Sequence, residues 1–116
     1  MIKRNDENRA VITGLGIKSP AGCDIETFWA RVQSGKATAR KITNFDASAL
    51  TVRFAGEVDD EALAIENYAN SKEVRRWDRF TQLGVAAAVD AFKDSGLEGT
   101  DFDVNRAAVV TGTGVG

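Results

Sequence analysis

Histidine is absent from the 116 residues, which removes the commonest general base and the commonest metal ligand. With a single cysteine, Cys23, an internal disulfide framework is excluded as well. No metal site is expected. Apolar runs reach nowhere near the ~18 residues that a membrane-spanning helix needs. The leading residues MIKRNDENRA are polar, without the apolar segment of a secretory leader behind their charges. The expectation is a cytoplasmic protein with no membrane partner. A net charge of −2 also lacks the strong positive field of a broad nucleic-acid binder.

What is present is ordinary globular composition, 43% apolar and 28% charged, in a length that allows at most one domain. The stretch Ser71 to Leu97 reads as one long helix. Trp77, Phe80, Gly84, Ala87 and Ala91 recur at three- and four-residue spacing and form a buried face. The small residues from Gly84 onward predict close approach of another backbone. Ser71 is the expected cap, and Gly96 the left-handed residue at the end. In the first two turns Lys72, Arg75, Arg76 and Arg79 fall at i, i+3, i+4 and i+7, so four cations share one side. Such a stripe is either a solvated face or a docking surface for a phosphate group or an acidic protein.

Residues 1–8 form a polar lead. Arg9–Thr13 and Arg106–Thr111 are β-branched runs that predict two buried strands, each halted by a glycine turn, Gly14-Leu-Gly16 and Gly112-Thr-Gly114-Val-Gly116. Between them, Asp24 caps a helix through Ser34 closed by Gly35, with Ile25, Phe28, Trp29 and Val32 on one face. Lys36 to Leu50 is irregular, anchored by Ile42 and Phe45. Val52–Val58 alternates like a strand with one side buried, and Asp59–Asn70 holds a short helical turn around Leu63 and Ile65. Strands alternating with helices predict an α/β fold whose strand ends point towards a common site. The second strand meets a glycine turn with its edge unpaired, which predicts the front part of something longer.

Two motifs invite chemistry. Gly14-Leu-Gly16 after a strand suggests dinucleotide binding, but Ser19 and Pro20 stand where a third glycine belongs, and a tight turn needing positive φ is the favoured reading. Cys23 near a helix start could be a nucleophile. Without a histidine to activate it, a packing role beside Phe28 is favoured. No catalytic residue is identified in the chain.

In order and spacing, Val11-Ile-Thr-Gly-Leu-Gly16, Ser19-Pro20, Glu26-Thr-Phe-Trp29, Gly35-Lys36, Phe45-Asp-Ala-Ser48, Phe54-Ala-Gly56, Arg75-Arg-Trp-Asp-Arg-Phe80 and Gly112-Thr-Gly-Val-Gly116 resemble the N-terminal part of a β-ketoacyl-[acyl-carrier-protein] synthase. The likeness is strongest to elongating type II enzymes and polyketide ketosynthases. It implies that residues 9–116 are an incomplete N-terminal portion of a thiolase-like layered αβαβα fold, in an acyltransferase that is usually a homodimer. Such an enzyme condenses an acyl group with malonyl carrier by decarboxylative Claisen chemistry in fatty-acid or polyketide elongation. Its nucleophilic cysteine and two histidines lie in later sequence, and it needs no metal or redox cofactor, because substrates arrive on the phosphopantetheine of the acyl carrier protein.

The resemblance also implies that Lys72, Arg75 and Arg76 face the acidic carrier protein and that Val115 lines the acyl pocket. Three alternatives stay open. One is a non-catalytic partner subunit resembling a chain-length factor, which pairs with a ketosynthase as a heterodimer. Another is a nucleotide-binding α/β oxidoreductase built on Gly14-Leu-Gly16. The third is an interaction module working alone.

Overall fold

A computed structural model describes residues 9–114. Asp24 initiates helix α1 (Ile25–Ser34), its carboxylate accepting the Thr27 N–H at 2.8 Å, and Gly35 ends it in the left-handed region at φ 62°. Both ends match the sequence expectation. Two short strands, β1 (Arg40–Lys41) and β2 (Phe54–Ala55), pair antiparallel with Arg40 opposite Ala55 and Lys41 opposite Phe54. The expected longer strand over Val52–Val58 is thus two residues long, and Phe54 remains 63% exposed. Helix α2 (Asp60–Leu63) and a 3₁₀ turn (Ile65–Asn67) follow, as the local pattern around Leu63 and Ile65 predicts.

The long helix expected over 71–97 is two helices, α3 (Ser71–Val74) and α4 (Arg79–Asp94). Asp78 takes an extended backbone, ψ 158°, at the start of α4, a position that aspartate prefers over a helix interior. The cap of α3 is Asn70, not Ser71. Its side chain accepts the N–H groups of Lys72 and Glu73, both at 3.1 Å, while Glu73 accepts the Asn70 N–H at 3.2 Å, forming a capping box. Gly96 takes φ 70° beyond α4, as expected.

The core is small. Cys23, Leu63 and Ala86 are buried together, with Val58, Ile65, Tyr68 and Leu83 packed around them, so it joins the start of α1 to α2 and α4. The two β-branched runs are not buried strands. Val11 and Ile12 are 74% and 82% exposed, Val109 and Val110 above 90%, and neither run belongs to the β1–β2 sheet of the described residues. Strand backbone needs a neighbour for its N–H and C=O groups, and none of the described residues supplies one. Trp29, Val32 and Phe80 are likewise about half exposed, so the apolar faces of α1 and α4 are only partly covered. Gly84 itself has open space around it, and the close backbone approach expected from Gly84 onward comes instead at Ala87 and Ala91, whose carbonyl oxygens would lie 1.9 and 2.2 Å from a Cβ on Gly16 and Gly14.

These exposures add up to an open body. The radius of gyration is 17.9 Å, against about 13 Å for a compact domain of this length. The accessible area is 9737 Å², against about 6,200 Å² for a closed monomer of this mass. The layered sheet arrangement implied by the resemblance is therefore not formed by the described residues.

Candidate functional site

The glycine turn after the first β-branched run is seated on α4. A Cβ on Gly16 would lie 1.9 Å from the Ala87 carbonyl oxygen, and one on Gly14 would lie 2.2 Å from that of Ala91. Neither glycine has positive φ, so the tight-turn explanation is corrected. Glycine is needed here because loop and helix backbones touch. The Leu15 N–H, which a nucleotide-binding loop would offer to a phosphate, donates to the Asp94 carboxylate at 2.9 Å. A carboxylate in that place repels a phosphate, which counts against the nucleotide-binding alternative.

Behind the turn lies a charge centre that sequence reasoning missed. Lys18, whose side chain is 3% exposed, points all three ammonium N–H groups at acceptors: Asp90 Oδ2 at 2.6 Å, the Cys23 carbonyl at 2.8 Å and Tyr68 Oη at 2.9 Å. The Tyr68 hydroxyl donates onward to Asp90 Oδ2 at 3.0 Å. Burial works to lower the Lys18 pKa, but the bonds to Asp90 and Tyr68 and the Asp90 charge outweigh it and hold the ammonium above its ordinary value. One signal was available: Asp90 is the single charge in the apolar run from Gly84 to Phe92. The centre is fully satisfied internally and locks loop, α1 start and α4 together, which is a structural role.

Cys23 sits in the core at 6% exposure, and burial pushes its thiol up, with the Lys18 charge opposing. The thiolate needed for nucleophilic work is disfavoured, so the packing role holds, with Leu63 and Ala86 as its core neighbours. A second buried charge, Glu57, accepts the Asn44 N–H at 3.0 Å, the Thr43 N–H at 3.0 Å and the Thr43 hydroxyl at 2.8 Å. These bonds, led by Asn44, hold its carboxyl below the usual glutamate value and pin the loop after β1. A lowered folded-state pKa adds stability above the unfolded value of 4.5 that disappears as pH falls through the folded pKa. Urea midpoints followed from neutral pH down to about pH 3 should therefore fall more steeply for the parent protein than for Glu57→Gln. Parallel curves would remove Glu57 from the acid transition.

The basic residues resolve into two groups. Lys72 lies in the first turn of α3, Arg75 at its C-cap and Arg76 one residue beyond, all three exposed. Arg75 Nε donates to the Ser71 carbonyl at 3.1 Å, holding its guanidinium against the helix. None of the three forms an ion pair with the described residues. Arg79 belongs elsewhere. Its Nη2 meets Asp60 Oδ1 at 2.6 Å and the Val58 carbonyl at 3.1 Å. The break at Asp78 therefore corrects the four-cation stripe to a corner of three, with Arg79 as an anchor behind it. That corner, with three exposed cations that pair with no acidic side chain of the described residues, can dock an acidic surface.

Val115 lies outside the described residues. Among the described residues no group of His, Cys, Asp or Glu side chains gathers as metal ligands, and no helix is long and apolar enough to cross a membrane.

Comparison with known proteins accounts for the motif order. Residues 7–116 match the family described as "Beta-ketoacyl synthase, N-terminal domain". The chain is 43% identical over 107 residues to a granaticin polyketide putative β-ketoacyl synthase 1 of Streptomyces violaceoruber, covering 92% of this chain and 25% of that protein. It is 38% identical over 110 residues to the 3-oxoacyl-[acyl-carrier-protein] synthase 2 of Vibrio harveyi, covering 95% of this chain and 26% of the other. To the ketoacyl synthase α subunit of the tetracenomycin polyketide synthase of Streptomyces glaucescens it is 37% identical, covering 97% and 26%. The chain thus spans about a quarter of the length of these relatives. With this match running through the seated glycine turn, the charge centre and the cationic corner, the chain belongs to the β-ketoacyl synthase family, in which it corresponds to the N-terminal domain.

Proposed function

We propose that the chain is the N-terminal segment of a β-ketoacyl-[acyl-carrier-protein] synthase that joins an acyl group to malonyl carrier by decarboxylative Claisen condensation. The observation that carries this reading is the family match across residues 7–116. The nucleophile and the histidines of that chemistry belong to sequence beyond this chain, which contains no histidine and whose one cysteine is buried in the core. The complete enzyme is an acyltransferase of fatty-acid or polyketide elongation, working in the cytoplasm as a dimer without a metal or redox cofactor. Its thiolase-like layers would pair the exposed runs 9–13 and 106–111 and cover the open faces of α1 and α4. The excess exposed area supports that reading.

Lys72, Arg75 and Arg76 dock the acyl carrier protein. Their exposure and their lack of acidic partners among the described residues support this role, because charge complementarity with an acidic carrier raises the association rate. Val115 lines the acyl pocket, where a valine leaves room for a longer or bulkier chain than a larger residue would. Reversing two of the cations tests the docking role. In the full-length protein carrying this segment, Arg75→Glu with Arg76→Glu is expected to lower carrier-dependent kcat/KM by roughly 10- to 100-fold and leave the urea midpoint nearly unchanged. Unaltered turnover would remove these residues from docking.

A further inference from the structure

The backbone on either side of Arg75 and Arg76 is bonded by a side chain that forms no hydrogen bond with either arginine. They lie in the short break between α3 and α4, where the carbonyls of Val74 and Trp77 face the gap left by the ended helix. Gln82, on α4, reaches back across it. Its amide Nε2 donates to the Trp77 carbonyl at 3.1 Å and the Val74 carbonyl at 3.3 Å, so both amide N–H groups are used on the two residues that bracket the arginines. Its Oε1 accepts a long bond from Arg79 Nη1 at 3.5 Å. Arg79 is in turn fixed on Asp60 and the Val58 carbonyl. A connected path thus runs from Val58 and the first residue of α2, through Arg79 and Gln82, to the backbone that presents the cations.

We propose that Gln82 is a positioning residue for carrier docking, holding the α3–α4 corner in the conformation that presents Arg75 and Arg76 together. This rests on the carrier-docking reading of the corner. The four-residue break, Arg75 to Asp78, carries no apolar anchor except the half-buried Trp77. Its first three N–H groups bond back to α3, but without the amide bridge closing the corner from α4 the arginines sample several orientations and binding must then order them. Only a side chain with two donors at this reach serves. A carboxylate of the same size turns acceptor lone pairs towards two carbonyls and is repelled.

The test is steady-state condensation by the full-length protein with a holo acyl carrier protein, comparing Gln82→Leu with the parent. The KM for acyl carrier is expected to rise roughly three- to tenfold, the cost of ordering freed side chains, while kcat at saturating carrier stays within about twofold. A fall in kcat at unchanged KM would assign Gln82 to general stability and overturn the positioning role. Should Gln82→Leu fail to fold, Gln82→Glu carries the same expectation. The double reversal of Arg75 and Arg76, run alongside, separates the two ideas. If it raises KM and the Gln82 variants do not, the positioning role is overturned and docking stands; if neither changes KM, both are overturned.

Discussion

Replacing Asp90 by alanine is expected to cost about 3 kcal/mol of stability, the low end for breaking a buried ion pair. The value sits there because Asp90 keeps 30% exposure while Lys18 keeps 3%. The substitution leaves the Lys18 ammonium enclosed with the Tyr68 hydroxyl and the Cys23 carbonyl as its remaining acceptors, neither of them charged. A companion double variant, Lys18→Met with Asp90→Leu, removes both charges and is expected to recover most of the loss, since apolar side chains of similar size fill such sites well. Urea denaturation of the two variants and the parent measures both effects. A loss under about 1 kcal/mol for Asp90→Ala would place the pair with solvent-screened surface bridges. The pH dependence has a definite sign. Because the Lys18 pKa is raised from 10.5, its contribution is fully present below that value and is lost as pH climbs through the higher folded value.

Gly16→Ala is expected to cost at least about 3 kcal/mol, the upper range for forcing extra volume into a packed contact. The new methyl would meet the Ala87 carbonyl oxygen at 1.9 Å and the Ala91 nitrogen at 2.7 Å. Both are helix backbone, which cannot swing aside as a side chain can, so loop and helix must separate. Separation would also loosen the Leu15 bond to Asp94 and the Lys18 centre beside it. Gly35→Ala is the control, because Gly35 has open space and its constraint is only φ 62°. That strain costs about 1 kcal/mol. Comparable losses at both positions would mean that the glycine turn is not seated on α4.

The parts of the fold that local chemistry decides were legible in the sequence. Asp24 and Gly35 mark the ends of α1 because a cap oxygen and a left-handed glycine act within a few residues, and Gly96 marks the end of α4 for the same reason. The break at Asp78 was hidden by a helical pattern that continues across it. Its stabiliser, Gln82, bonds backward to carbonyls five and eight residues away and leaves no periodic trace. The runs 9–13 and 106–111 show where composition alone misleads. Their β-branched residues state a preference for strand, while strand formation depends on a partner that no local pattern supplies.

The candidate site divides the same way. Lys72, Arg75 and Arg76 were visible as a charge pattern, yet Arg79 could be separated from them only by seeing its bond to Asp60. The Lys18–Tyr68–Asp90 centre joins residues 22 to 72 positions apart, and a single sequence does not encode such a meeting openly. Asp90 within an apolar helix half was the visible hint. Glu57 had none, because a glutamate in a short polar and apolar alternation looks like any solvated residue.

The measurement closest to the central claim is product formation by the full-length protein that carries this segment. Acyl carrier and malonyl carrier are supplied together, and the carrier is read by intact mass. The expected product is a carrier-bound β-ketoacyl chain two carbons longer than the acyl group supplied, formed with release of carbon dioxide. Malonyl carrier left intact, with no lengthened chain at any carrier concentration, would contradict the assignment to a condensing enzyme.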